Sequence, residues 1–286
     1  VIVGRFVYHC HAVDHEDKGM MGVVEVVARE FGTDSACTDG VHMGDIQPVR
    51  SIAVPRPIPV VLSFVAGYVD SCTYLILFGV FVAQVTGSFV IAGTQFVRSE
   101  PGALAKLLAI PSFFLAGVAV TVLVHPLRER PRAALAWSLA IECLLLIGFL
   151  AACRVGMPFR GPDAPGAIVA LLFGMAAMGA QSALVRLLMR GVASTNVMTT
   201  NTTLLAINAA EILLGWIERR KAGPSGSSNA VYAQARREFA TLFPLGLGFL
   251  GGTVLGAIAY ITVGLPCVLL AILPVGILAL WYVRHS

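Results

Sequence analysis

Phe64–Ser88 reads FVAGYVDSCTYLILFGVFVAQVTGS, and its reading decides the fold. The stretch is apolar for long enough to cross a bilayer, which takes about 20 residues. Yet it holds a carboxylate, Asp70, and runs into a polar break of Gln84, Thr86, Gly87 and Ser88 before turning apolar again. A related stretch, GAQSALVRLLMRGVASTNVMTTNTT, occupies Gly179–Thr203. Gly67 lies 19 residues before Thr86, and Gly179 lies 20 before Thr199. Both stretches are helical in pattern, led by glycine and interrupted by hydroxyl and amide residues. A duplicated membrane unit is the simplest reading.

The composition agrees. Of 286 residues, 57% are hydrophobic and 13% charged, with a mean hydropathy of +0.82; soluble domains hold about 25% charged residues. Apolar runs of membrane-spanning length cover 57–82, 103–124, 133–153, 164–189, 240–263 and 264–283. The expected fold is an all-α polytopic membrane helix bundle of two internal repeats, 57–153 and 164–283, with polar-broken helices. The short alternating segments of a membrane barrel are not seen. If 83–98 and 192–217 dip in without crossing, there are six spans and the repeats are inverted; if both cross, there are eight. Leaving aside Arg5, Lys18 and Arg29, six spans divide Lys and Arg 13 to 4 between the two sides, and eight divide them 12 to 5. The positive-inside rule therefore does not choose between them, but both put the two termini in the cytoplasm. The short length of 83–98 favours six.

The net charge of +4 does not point to nucleic acid, because Lys and Arg cluster between apolar runs. The six cysteines form no CxxC pair, and Cys72, Cys143 and Cys267 fall within spans, where cysteine behaves as a small hydrophobe. Gly248, Gly252 and Gly256 form a small-residue stripe of the kind that packs helices closely in lipid. The loop 218–239 carries Arg219, Arg220, Lys221, Arg236 and Arg237 around a GPSGSS tract and is expected on the cytoplasmic side.

Residues 1–30 differ from the rest. A strand-like start and end flank His9-Cys10-His11, His15 and Met20. Thiolate, imidazole and a weak thioether suit a blue-copper site. The pattern resembles the C-terminal HCHxxxHxxxxM motif of multicopper oxidases. That resemblance implies Cys10, His15 and Met20 as type 1 ligands and His9 and His11 as trinuclear-cluster ligands. The partner domains of such enzymes are not in the sequence, so the segment reads as a vestigial remnant that holds copper at most loosely, followed by a linker at 31–56. The chain opens on Val1 and Met43 precedes the first span, so residues 1–42 read as dispensable to the membrane unit, 57–286.

Four short sequences carry a wider resemblance: GYVD (67–70), FVAQVTGS (81–88), GAQSALVR (179–186) and NVMTTNTTLL (196–205). On these, residues 57–283 resemble the YoaK-like family of bacterial integral membrane proteins, a domain of unknown function. The family pattern has Asn after Thr-Gly in the first half, where this chain has Ser88; in the second half, Thr200-Asn201 stand where Thr-Gly is common. The resemblance implies a multi-pass protein of the bacterial inner membrane and a permease-like role, with no substrate assigned.

The expected function is a permease for an unidentified small solute, proton- or cation-coupled. The candidate substrate or ion site is Asp70, Thr86, Gly87, Ser88, Gln181, Asn196, Thr199, Thr200 and Asn201. Internal repeats commonly place such sites near the midplane, at broken helices, so the two breaks are expected to approach each other. A carboxylate at mid-membrane costs about 2.5–3.5 kcal/mol on insertion scales, which makes Asp70 the first candidate for a coupling group, with Glu142 and Glu211 behind it. Two other readings stay open: a non-transporting scaffold or regulator whose polar residues join helices, and copper handling through the N-terminal cluster. No nucleophile–base constellation points to an enzyme. The expected partners are the lipid bilayer, a small molecule or ion and a second copy of the chain; nucleic acid is not expected, nor a cofactor in the membrane domain.

Overall fold

The computed structural model describes residues 4–9, 21–26, 51–189, 191–222 and 226–285. The chain divides into two compact units, Val1–Gln47 and Pro48–Ser286. In the first, β1 (Gly4–His9) and β2 (Met21–Val26) pair antiparallel from Gly4↔Val26 to His9↔Met21. The strand-like ends read from the sequence are therefore strands. Cys10, His11, His15 and Met20 lie outside the described residues, and His9 is described in its backbone only.

The second unit holds eight α-helices among its described residues: α1 (Pro57–Ile76), α2 (Val85–Arg98), α3 (Ala103–Val124), α4 (Pro131–Gly156), α5 (Pro165–Leu188), α6 (Met198–Ala222), α7 (Gly226–Val263) and α8 (Leu269–Arg284). Six are long and apolar enough to cross a membrane: α1, α3, α4, α5, α7 and α8. Proline opens α1, α4 and α5 at their first turn, where its fixed φ suits the helix and its missing N–H is not needed. α1 stops six residues short of its apolar run, because Phe78 and Gly79 take φ of 56° and 79°, a left-handed turn no helix can continue through.

Contacts between helices orient the bundle. The Ile52 N–H donates to the Leu188 carbonyl (2.8 Å), so the start of α1 and the end of α5 share one end of the bundle, here the first end. Gln181 reaches the Leu62 carbonyl, and a Cβ at Gly174 would touch Thr73, so α1 and α5 run antiparallel. The N–H groups of Gly102 and Ala105 donate to the Asp163 carboxylate (2.6 and 3.1 Å). α3 therefore starts where α5 starts, at the second end. Arg132 and the His285 carbonyl meet at 3.5 Å, which joins the start of α4 to the end of α8.

This settles the path of the broken helices. α1 runs from the first end to the second. The chain then turns back as far as Asp70, forms α2 and regains the second end at Gly102. α2 is thus re-entrant and does not cross. In the second half, α5 returns to the first end, the chain dips to the level of Gln181, and α6 leads out again through the first end. There α6 lies antiparallel to α7, with Gly215 against Tyr232 and Gly246 against Leu205. The stretch expected as a loop, 218–239, instead forms the tip of this helical hairpin. Among the described residues, six helices have the length and apolarity of a membrane span, three per half; each half adds one helix that starts inside the bundle, and the halves run in opposite directions.

The pairing of helices repeats the duplication. α7 runs beside α1, with Gly248, Gly252 and Gly256 against the carbonyls of Val60, Phe64 and Tyr68. Its counterpart α3 runs beside α5. Gly67 faces the Phe249 carbonyl, and its repeat equivalent Gly179 faces the Phe113 carbonyl, both too closely for any Cβ. The glycine stripe thus packs helices, as read from the sequence. α1 and α5 are the most buried spans, whereas α3 and α7 turn Phe114, Leu115, Val118, Leu250, Val254 and Ile258 outward. Apolar side chains facing outward suit hydrocarbon, which offers no penalty for exposing them.

Candidate functional site

The first break is built around Asp70. Its Oδ1 accepts hydrogen bonds from the backbone N–H of Val82 and of Ala83, each at 2.7 Å. The carboxylate thus fastens the returning chain to α1 just ahead of the first turn of α2, where unpaired amides and the helix dipole favour negative charge. Ser88, in the first turn of α2, donates back to the Phe81 carbonyl (2.8 Å). Asp70 Oδ2 is buried without a partner. Thr73 donates to the Asp70 carbonyl one turn on.

The second break repeats the plan with different chemistry. Asn201, in the first turn of α6, donates to the Ser194 carbonyl (2.7 Å), seven residues upstream, as Phe81 is of Ser88. The position equivalent to Asp70 is Ser182. Here amides replace the carboxylate. Asn196 donates through Nδ2 to Ser182 Oγ (3.0 Å) and to the Met178 carbonyl (3.2 Å). Gln181 Nε2 lies within hydrogen-bond distance of the Leu62 carbonyl, Thr195 Oγ1 and Asn196 Oδ1. From α1, Ser63 donates to the Leu245 carbonyl (2.9 Å) and lies 3.5 Å from that of Thr195. Ser63, Gln181, Thr195, Asn196 and Asn201 are all buried.

The candidate residues therefore fall into two groups on the α1–α5 crossing. Asp70 and Ser88 form one; Gln181, Asn196 and Asn201 form the other, joined by Ser63, Ser182 and Thr195. The groups meet α1 seven residues apart, at Asp70 and Ser63, which is about 10 Å along a helix. Both breaks lie against the same pair of helices, at different heights. Thr86 and Thr199 are exposed at equivalent positions, and Gly87 and Thr200 are half-buried. Ser63, Ser182 and Thr195 were not among the sequence candidates. Ser182 and Thr195 could have been found by aligning the repeats on Asp70 and Val82, whereas a single serine in an apolar run gives no signal. Among the described residues, no group of three or more His, Cys, Asp or Glu side chains is placed to hold a metal ion.

Six membrane-length helices in two inverted halves, each with a re-entrant helix anchored by a buried polar break, define a multi-pass helical membrane protein. Residues 58–281 match the family described as protein of unknown function (DUF1275), and the chain belongs to that family. No curated protein and no solved structure matches the chain.

Proposed function

We propose that this chain is a permease for a small solute in the inner membrane of a bacterium, with its first end in the cytoplasm. One observation carries the reading. Two helices, α2 with 14 residues and α6 with 25, begin inside the bundle at buried polar breaks and lead out through opposite ends. Discontinuous helices of inverted repeats, with their N-termini turned inward, are the recurring device of solute sites in secondary transporters. The solute would be held between the breaks by Ser88, Gln181, Asn196 and Asn201 with backbone groups of the two loops, and Thr86, Gly87, Thr199 and Thr200 would line the approach. The orientation rests on charge: Arg98, Lys106, Arg154 and Arg160 belong to the second end, whereas Arg128, Arg130, Arg132, Arg219, Arg220, Arg236, Arg237 and Arg284 belong to the first, and cytoplasmic loops carry the excess of Lys and Arg.

The test is flux. The purified chain in liposomes, screened against sugars, amino acids, nucleobases, carboxylates and inorganic ions, is expected to move one class, and Asn196→Leu is expected to abolish that movement. A second reading, a non-transporting scaffold, is favoured by the mutual hydrogen bonding of Gln181, Thr195, Asn196 and Ser182. Polar residues joined in this way are common glue between membrane helices, worth about 0.6 kcal/mol a bond. Absence of flux across the whole panel, from a chain that is folded and correctly inserted, is the result that favours the scaffold.

A further inference from the structure

Glu142 sits in α4, fully buried, and neither of its carboxyl oxygens has a partner. Asp70, by contrast, has one oxygen committed to two backbone amides. We propose that Glu142 is a proton-binding site in the membrane core, and that its proton moves with the solute; the second clause rests on the permease reading.

Placement supports this. Phe149 of α4 lies against Gly174 of α5, and Gly156 against Gly166, so the two helices run antiparallel. Seven residues back from Phe149 is Glu142, and seven on from Gly174 is Gln181, so the two stand at one level, that of the second break. Gln181 Oε1 is also buried without a donor. Two acceptors at the same depth lack the same thing, a proton to share. An ionised, unpaired carboxylate in such surroundings is strongly disfavoured, whereas the neutral acid is tolerated.

The titratable groups on the elements around α4 lie elsewhere. On α5, Arg186 is exposed and more than a turn nearer the first end than Gln181. On α8, Tyr282 and Arg284, with His285 after it, lie at the first end. Lys106 of α3 is held by Gln95 near the second end, and Cys267, just ahead of α8, meets Tyr68 and Cys72 of α1 at the level of the first break. Cys143, next to Glu142, turns to the Ile272 carbonyl (4.0 Å).

The test needs no variant to begin. Dicyclohexylcarbodiimide modifies carboxylic acids that hold a proton in apolar surroundings. The full chain in liposomes is treated with it across a pH series, with and without sodium, and the adducts are mapped by peptide mass spectrometry. The expected result is an adduct on Glu142 that is lost as the pH rises, is indifferent to sodium, and has no counterpart on Asp70. No adduct on Glu142, a pH-independent one, or protection by sodium at fixed pH overturns the proton site. In flux measurements, Glu142→Gln is expected to lose solute movement driven by an imposed pH gradient; if that movement is undiminished, Glu142 does not carry the coupled proton although the permease reading stands. A pH-dependent adduct on a wild-type chain that moves no solute keeps the proton site and removes transport.

Discussion

Asp70 and its repeat counterpart Ser182 show how one position serves two chemistries. In the first half a single carboxylate oxygen gathers two backbone N–H groups; in the second, an amide reaches across to a hydroxyl. Asp70→Ala leaves those two N–H groups buried and unpaired, which costs about 1–3 kcal/mol each. The expected outcome is a clear drop in the thermal midpoint of the detergent-solubilised protein. Asp70→Asn keeps an acceptor oxygen and loses only the charge, so its midpoint is expected to stay close to wild type. Equal drops for the two variants would show that the charge, not the hydrogen bonds, secures the break. The sequence singled out Asp70 by its depth alone. Its partners are the backbone amides of Val82 and Ala83, and no residue pattern signals which amides a carboxylate will meet.

At the scale of elements, the spans were legible because hydrocarbon demands long apolar runs. The end of α1 was not: residues 77–83, LFGVFVA, are as apolar as the helix before them, and only Gly79 hints at the turn. The level of Glu142 with Gln181 was hidden too, since it depends on the register of α4 against α5. The re-entrant path makes a prediction that charge counting could not. Single cysteines at Gly79 and Glu100, in a cysteine-free background, flank α2 and are expected to react with an impermeant thiol reagent from the same side. A pair at Gly191 and Ala222, flanking α6, is expected to react from the opposite side. If either pair is split between the two faces, that helix crosses and the six-span path is wrong. The close approach of α1 to α7, and of α3 to α5, predicts a matched pair of effects. Gly67→Val and Gly179→Val each drive a side chain into a facing carbonyl, and both are expected to lower the yield of folded protein sharply. Gly93→Val is the control, because a Cβ there meets nothing within 4 Å.

For the molecule as a whole, the division between Gln47 and Pro48, and the family match beginning at Ile58, predict that a chain starting at Met43 inserts and accumulates as the full chain does. Failure to accumulate, measured by membrane fractionation, would give the N-terminal unit a structural role. The hairpin of α6 and α7 adds a feature at the first end. α7 has 38 residues, close to 57 Å of helix against a hydrocarbon core of about 30 Å. Beyond the span, Arg219 stacks over Tyr232 and Arg220 over Trp216, at 4.0 and 3.9 Å from the ring centroids. The sequence disclosed the charges of this hairpin but not its form, because a glycine- and serine-rich tract reads as a loop.

An odd number of spans in each half has a consequence for ancestry and assembly. A single half, made as a polypeptide of its own, has no way to build this bundle unless two copies insert in opposite orientations. Fusing them through the turn at 157–164 fixes one copy upward and one downward for good, and frees each to change alone, which is what Asp70 against Ser182 records. Cutting the chain in that turn and expressing the pieces together should therefore rebuild the bundle from two separately made proteins of opposite orientation, recoverable as a one-to-one pair.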